Sequence, residues 1–241
     1  MKLLNRTRGI SMFMRSLTSE EKNILLRIQE FVRRCHAKSD SHDYSHVFTV
    51  TRTSIIISKK INDSVDPFVV VAGALLHDIG KTTNTFANFH GLFGGSIAEE
   101  FLDGLQMDHS IRDKICRVVI RHTPTSGIPP ETPEEKVVFD ADTLDRLGLM
   151  GLLRGFIGKE GSMREILEKY MERRQQDYEK LHYEFSRELG MGHAQELEGF
   201  SALIKKRLDD RMSSIAGIFE KEGLIEYEHA VKPKKGGKSK K

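Results

Sequence analysis

No stretch of this chain approaches the roughly twenty consecutive apolar residues that a bilayer-spanning helix needs, so no membrane role is expected. Residues 1–8 are basic, but neither an apolar core nor a small-residue cleavage site follows them, and no secretory leader is expected. Cysteine is scarce. Cys35 and Cys116 give no spaced framework for disulfides or a zinc knot and read as reduced thiols of a cytoplasmic protein. Strand-like alternation of useful length is missing, as are internal repeats and a glycine-rich phosphate loop ahead of a helix. A basic face on the folded part is not implied either. The formal charge of +3 comes from six lysines at 231–241, and the rest of the chain carries a formal −3. Nucleic acid would therefore be met only through that tail.

What is present is helical periodicity. At 241 residues, 38% hydrophobic and 30% charged, the chain is long enough for one domain with an appendage and a sizeable core. The expected fold is all-α, a compact multi-helix bundle. Thr18 and Glu21 make a capping-box pattern ahead of Ile24, Leu25, Ile28, Phe31 and Val32. Asp43 is the expected N-cap of a second helix beginning near Tyr44, and Pro67 suits the first turn of a third. A fourth helix follows His90 and a fifth covers 111–121, ahead of a proline-rich loop at 123–133. The glycines at 148–161 predict a bent, buried connection, and the charge pattern beyond them predicts helices near 162–189, 193–211 and 212–227, separated around Gly190 and Gly192. The organisation expected is a loose arm at 1–17, a helical domain at 18–160, further helices at 161–230 packing on or covering it, and a disordered lysine-rich tail at 231–241.

The most informative feature is the pair His77-Asp78, within the segment ALLHDIGK at 74–81. Residues 68–76 are apolar, so a buried helix runs into an imidazole and a carboxylate, which is costly unless something satisfies both. A divalent cation would, since borderline ions accept mixed nitrogen and oxygen ligation. One pair does not fill a coordination sphere. The further candidates are His46, His90, His122 and Asp142, each at an expected helix end or beside an apolar stripe. Asp78 is the natural bridging carboxylate for two ions. Lys81, three residues past Asp78, would set a point charge on a substrate phosphate, with Arg121, Arg146 and Arg154 as further phosphate-facing candidates. Asp145, one turn from Asp142, would accept a hydrogen bond from a ligand histidine or orient water.

The order of His46, His77-Asp78, His90, His122 and Asp142 resembles the HD superfamily of metal-dependent phosphohydrolases over about residues 40–155. The resemblance rests on His46, on HDIGK at 77–81 and on Asp142 in an Ala-Asp-x-Leu context, with the glycine-rich start of the helix at 90–98 adding to it. It implies that His46, His77, Asp78 and Asp142 hold a core metal and that His90 and His122 add a second ion, as in dinuclear members. On the residues' own chemistry, Asp78, Lys81 and Asp145 are the expected catalytic residues. The segment 139–154 is similar to that of a bacterial and archaeal subgroup whose substrates are often nucleotides, so the implied partner is a small phosphorylated substrate, a nucleotide being favoured. Beyond about residue 160 the resemblance is weak.

Other readings stay open at this point. His90 alternatively lines the substrate pocket, and His122 alternatively closes a helix ahead of the proline-rich loop. Asp140 rivals Asp142, because spacing alone does not separate them. His36, His109, His182, His193 and His229 read as satisfied core or surface side chains. The cofactor is one or two divalent ions per chain, with Mn, Fe, Co, Ni, Mg and Zn all compatible with His/Asp ligation. A di-iron oxygenase would use the same six donors, and a metal-stabilised regulatory or binding module would need no chemistry. The charged helices after 160 form a solvated outer layer, a homo-oligomer contact or a lid.

Overall fold

The computed structural model describes residues 15–37, 44–82, 89–157 and 159–223. The arm at 1–14, the expected N-cap Asp43, most of the 82–89 loop and the lysine-rich tail lie outside the described residues. Among the described residues every regular element is helical: α1 (Ser19–His36), α2 (Tyr44–Ser58), α3 (Pro67–Leu76), α4 (His90–Asp103), α5 (His109–Arg121), α6 (Pro133–Leu147), α7 (Leu149–Phe156), α8 (Met163–Glu179) and α9 (Glu184–Glu222), with 3-10 turns at Ile79–Thr82 and Pro124–Ser126. No helix among them is long and apolar enough to cross a membrane.

Helix α3 is the central post. Asp66 caps it by accepting from the amides of Phe68 (2.8 Å) and Val69 (3.4 Å), and Pro67 presets its first turn. All of its residues except Val71 are buried, among α1, α2, α5 and α6. Each fully covered Val or Leu there contributes about 1.5–3 kcal/mol of transfer free energy, so the post is held by burial rather than by propensity. Helix α1 lays Leu25, Ile28 and Val32 against the same core, and its capping box joins Thr18 and Glu21. A second, smaller cluster of Leu152, Leu167, Tyr170 and Leu197 ties α7, α8 and α9 together.

Two expectations are corrected. The segment 148–161 is not a buried connection: it contains α7, which covers Gly151 and Leu152 but leaves Met150 (62%), Leu153 (56%) and Ile157 (50%) exposed. Its apolar residues exceed what one helix face can bury. Among the described residues beyond it lie two helices, not three, and the break falls at residues 180–183. Buried Asp140 explains the break, because its carboxylate accepts from the amides of His182 (3.0 and 3.1 Å) and Tyr183 (3.1 Å) and from His182 Nδ1 (2.8 Å). Gly190 stays helical because it is a contact. A Cβ there would lie 3.0 Å from Leu181 and 3.2 Å from Tyr178. That close approach offsets the roughly 1 kcal/mol an interior glycine costs.

Candidate metal centre

Helix ends bring the site together. His77 is the C-cap of α3 and Asp78 follows it into the 3-10 turn, where the Lys81 amide donates to the Asp78 carbonyl (2.9 Å). His46 sits in the first turn of α2, His90 opens α4, His122 caps the end of α5, and Asp142 and Asp145 project from α6. His46, His77, Asp78, His90, His122 and Asp142 are all buried. They form two triads, His46–His77–Asp142 and Asp78–His90–His122, within each of which one donor atom per residue lies within 4.8 Å of the others.

The hydrogen bonds fix two of the imidazoles with a lone pair inward. His77 Nδ1 lies 2.8 Å from the Ala74 carbonyl and His122 Nδ1 2.6 Å from that of Val119. A carbonyl only accepts, so each Nδ1 carries the proton and each Nε2 presents its lone pair. His46 Nδ1 lies 2.7 Å from Asp145 Oδ2, which likewise accepts from it. Yet the Nε2 atoms of His46 and His77 are 3.2 Å apart, with Asp142 Oδ1 at 3.5 and 4.0 Å. In the second triad the Nε2 atoms of His90 and His122 are 3.3 Å apart, and Asp78 Oδ1 lies 3.6 and 3.3 Å from them. A cation between them would relieve the repulsion of electron-pair donors that converge in this way. The residues therefore fit a divalent metal, and they fit two.

Asp78 joins the triads. Its Oδ1 faces His90 and His122, while Oδ2 lies 3.3 Å from His46 Nε2, 3.6 Å from His77 Nε2 and 2.9 Å from Lys81 Nζ. The electrostatics agree with a cation trap. Burial alone would push the His46 imidazole down, but Asp145, Asp78 and Asp142 outweigh it and raise it to about 9. Burial dominates at His77, which is pushed down to about 3. Burial also works to raise Asp142, yet the Arg146 guanidinium and the two imidazoles hold it well below the usual carboxylate range. Asp142 thus stays ionised, and the carboxylates around His46 favour positive charge there.

Above the triads opens a cavity of ≈ 530 Å³ lined by His46, Lys81, Asp142, Arg146 and Arg154, with a far wall from the α7–α8 connection and α8. Arg146 is ion-paired with Asp142, and Arg154 with Asp145. Arg121 is placed elsewhere: it donates to the Pro129 carbonyl (2.7 Å), pairs with Glu131 (2.9 Å) and does not line the cavity. Asp140 also points away, toward the α8–α9 turn. The sequence reading missed Lys159, Lys169, Tyr170, Arg173 and Arg174, all lining the cavity. The basic residues at 169 and 173, four apart, were the available signal.

The HD-domain family pattern matches residues 43–147. Over those residues the chain carries an HD domain. Its HD domain runs from the start of α2 to the end of α6 and so contains all six donors of the two triads. Solved structures share the fold. An HD-superfamily hydrolase from Bacillus thuringiensis matches with a TM-score of 0.61 at 19% identity, over 78% of this chain and 98% of that one. Bacillus subtilis YpgQ in complex with ADP matches with a TM-score of 0.59 at 20% identity, over 76% and 97%. A predicted HD-superfamily hydrolase from an uncultured Thermotogales bacterium gives 0.54 at 22%, over 77% and 92%. Among curated proteins, the tRNA (cytidine(56)-2'-O)-methyltransferases of Picrophilus torridus and Thermoplasma volcanium are 34% and 31% identical over 113 and 123 residues, 41% and 44% of this chain. The chain spans about a third of the length of those relatives (30% and 33%).

Proposed function

We propose that the HD-domain protein is a metal-dependent phosphohydrolase that cleaves a phosphomonoester or phosphodiester bond in a small phosphorylated substrate, with nucleotides favoured. One observation carries this reading: two His/Asp triads, linked through Asp78, reach a cavity with cationic walls through His46 and Asp142. His46, His77 and Asp142 would hold one divalent ion and His90 and His122 a second, with Asp78 between them. When bound, such ions lower the pKa of a water toward neutrality and offset charge on phosphoryl oxygens.

The chain's own residues supply position and charge. Asp145 keeps the His46 proton on Nδ1, so that Nε2 remains a donor toward the floor. Lys81, held at the floor by Asp78, offsets charge that develops on a phosphoryl oxygen. Arg146 and Arg154, fixed by Asp142 and Asp145, orient the phosphate. In the net reaction the water oxygen bonds to phosphorus, the phosphorus–oxygen bond to the leaving group breaks, and a proton ends on the leaving group. Nucleotides are favoured because ADP is bound by YpgQ, which shares the fold. The free thiols of Cys35 and Cys116 suit a cytoplasmic setting.

The test loads the full chain with each divalent ion and measures metal content, phosphate release from a nucleotide and phosphoester panel, and oxygen uptake in parallel. Metal-dependent phosphate release, lost in Asp78→Asn, is the expected result. Oxygen uptake without phosphate release would instead identify a di-iron oxygenase on the same six donors.

A further inference from the structure

The cations around the cavity divide into two sets. On the floor side Lys81, Arg146 and Arg154 are each committed to a carboxylate, of Asp78, Asp142 and Asp145. On the α7–α8 connection and α8, the side chains of Lys159, Lys169 and Arg173 make no hydrogen bond or ion pair among the described residues. Lys169 and Arg173 are one turn apart on α8, and so share a face.

That face is held in place. Tyr170, buried between the two, donates its hydroxyl to the Arg146 carbonyl (2.5 Å). Arg174 pairs with Asp177 (2.9 Å) and lies 4.7 Å over the Tyr170 ring, while its buried Nε–H has no acceptor. Two acids share the wall, Glu160 and Glu165, and the second is engaged in the α8 capping box. Positive charge is left in excess on an anchored helix.

Resting on the hydrolase reading, we propose that Lys169 and Arg173 form a second anion subsite, which makes this chain selective for substrates carrying more than one phosphate group. A monophosphate placed over the triads satisfies the floor and leaves the wall unmatched. A further phosphate reaches the wall, where the guanidinium fork suits its oxygens. Helix α8 lies outside the 43–147 HD match, so the subsite would be built by residues beyond the matched domain.

The experiment titrates the full chain calorimetrically with orthophosphate and with inorganic tripolyphosphate, in EDTA and again with Mg²⁺. Tripolyphosphate is expected to bind at least about tenfold more tightly. Lys169→Gln with Arg173→Gln closes that gap to about twofold and leaves orthophosphate binding and metal content unchanged. Lys206→Gln with Arg207→Gln removes the same charge from exposed positions on α9 and leaves the gap intact. A gap that survives in the α8 variant, or closes equally in the α9 control, overturns the proposal. Failure of the hydrolase reading looks different: the binding gap stands while no ester releases phosphate.

Discussion

At His46 a neighbour selects the tautomer. Asp145 accepts from Nδ1 at 2.7 Å and thereby aims the Nε2 lone pair at His77 and Asp142. Asp145→Asn keeps the shape but lets an amide N–H compete for that nitrogen. It is expected to weaken divalent-ion binding about 10–100-fold, read by metal titration, with the helical circular dichroism unchanged. The reach of sequence reading is visible at the same scale. The donors were legible because a histidine beside an aspartate at the end of an apolar helix has few bland explanations. Spacing did not choose between Asp140 and Asp142, which lie on nearly opposite faces of one helix, and only the Ala-Asp-x-Leu resemblance favoured Asp142. Orientation decides it: Asp142 faces the imidazoles while Asp140 captures the α8–α9 turn.

Among the elements, α4 carries His90 to the second triad along a seam without side chains. A Cβ at Gly80 would fall on the His90 carbonyl oxygen and lie 2.7 Å from the Gly94 nitrogen. At Gly95 it would meet Ile120 Cγ1 at 2.5 Å. Both Gly80 contacts are backbone, which cannot swing aside as the end of a side chain can. Gly80→Ala is therefore expected to cost about 3 kcal/mol in chemical denaturation and to lower the bound metal below two ions per chain. Helices α1 to α5 could be read from an apolar stripe, or in α3 from its unbroken apolar run, and from a legible start. The charged helices beyond residue 160 could not be bounded this way. Gly190 looked like a stop, and its packing against Leu181 and Tyr178 is a long-range fact that local pattern does not carry. The cations of α8 read as solvated for the same reason: the cavity they face is made by other elements.

Across the whole molecule, one buried carboxylate links the floor of the site to its outer wall. Asp140 lies on α6, two residues before Asp142, and holds the turn from which α8 and α9 diverge. Asp140→Ala would strip acceptors from the amides of His182 and Tyr183. A loss of about 2–3 kcal/mol is expected, with faster amide hydrogen exchange confined to residues 163–190 and metal content retained. Equal exchange throughout the chain would show that the turn does not act as a separate fastening.

Glycine has nothing to give up. Drift at Gly80 or Gly95 can only add atoms, and the first methyl already collides with a backbone or a neighbouring side chain. The ground beneath the histidines is thus closed to gradual change, whereas the outward positions of α8 accept almost any side chain. Divergence among descendants of this chain would accumulate above the two triads rather than around them, altering what enters the cavity without altering its base.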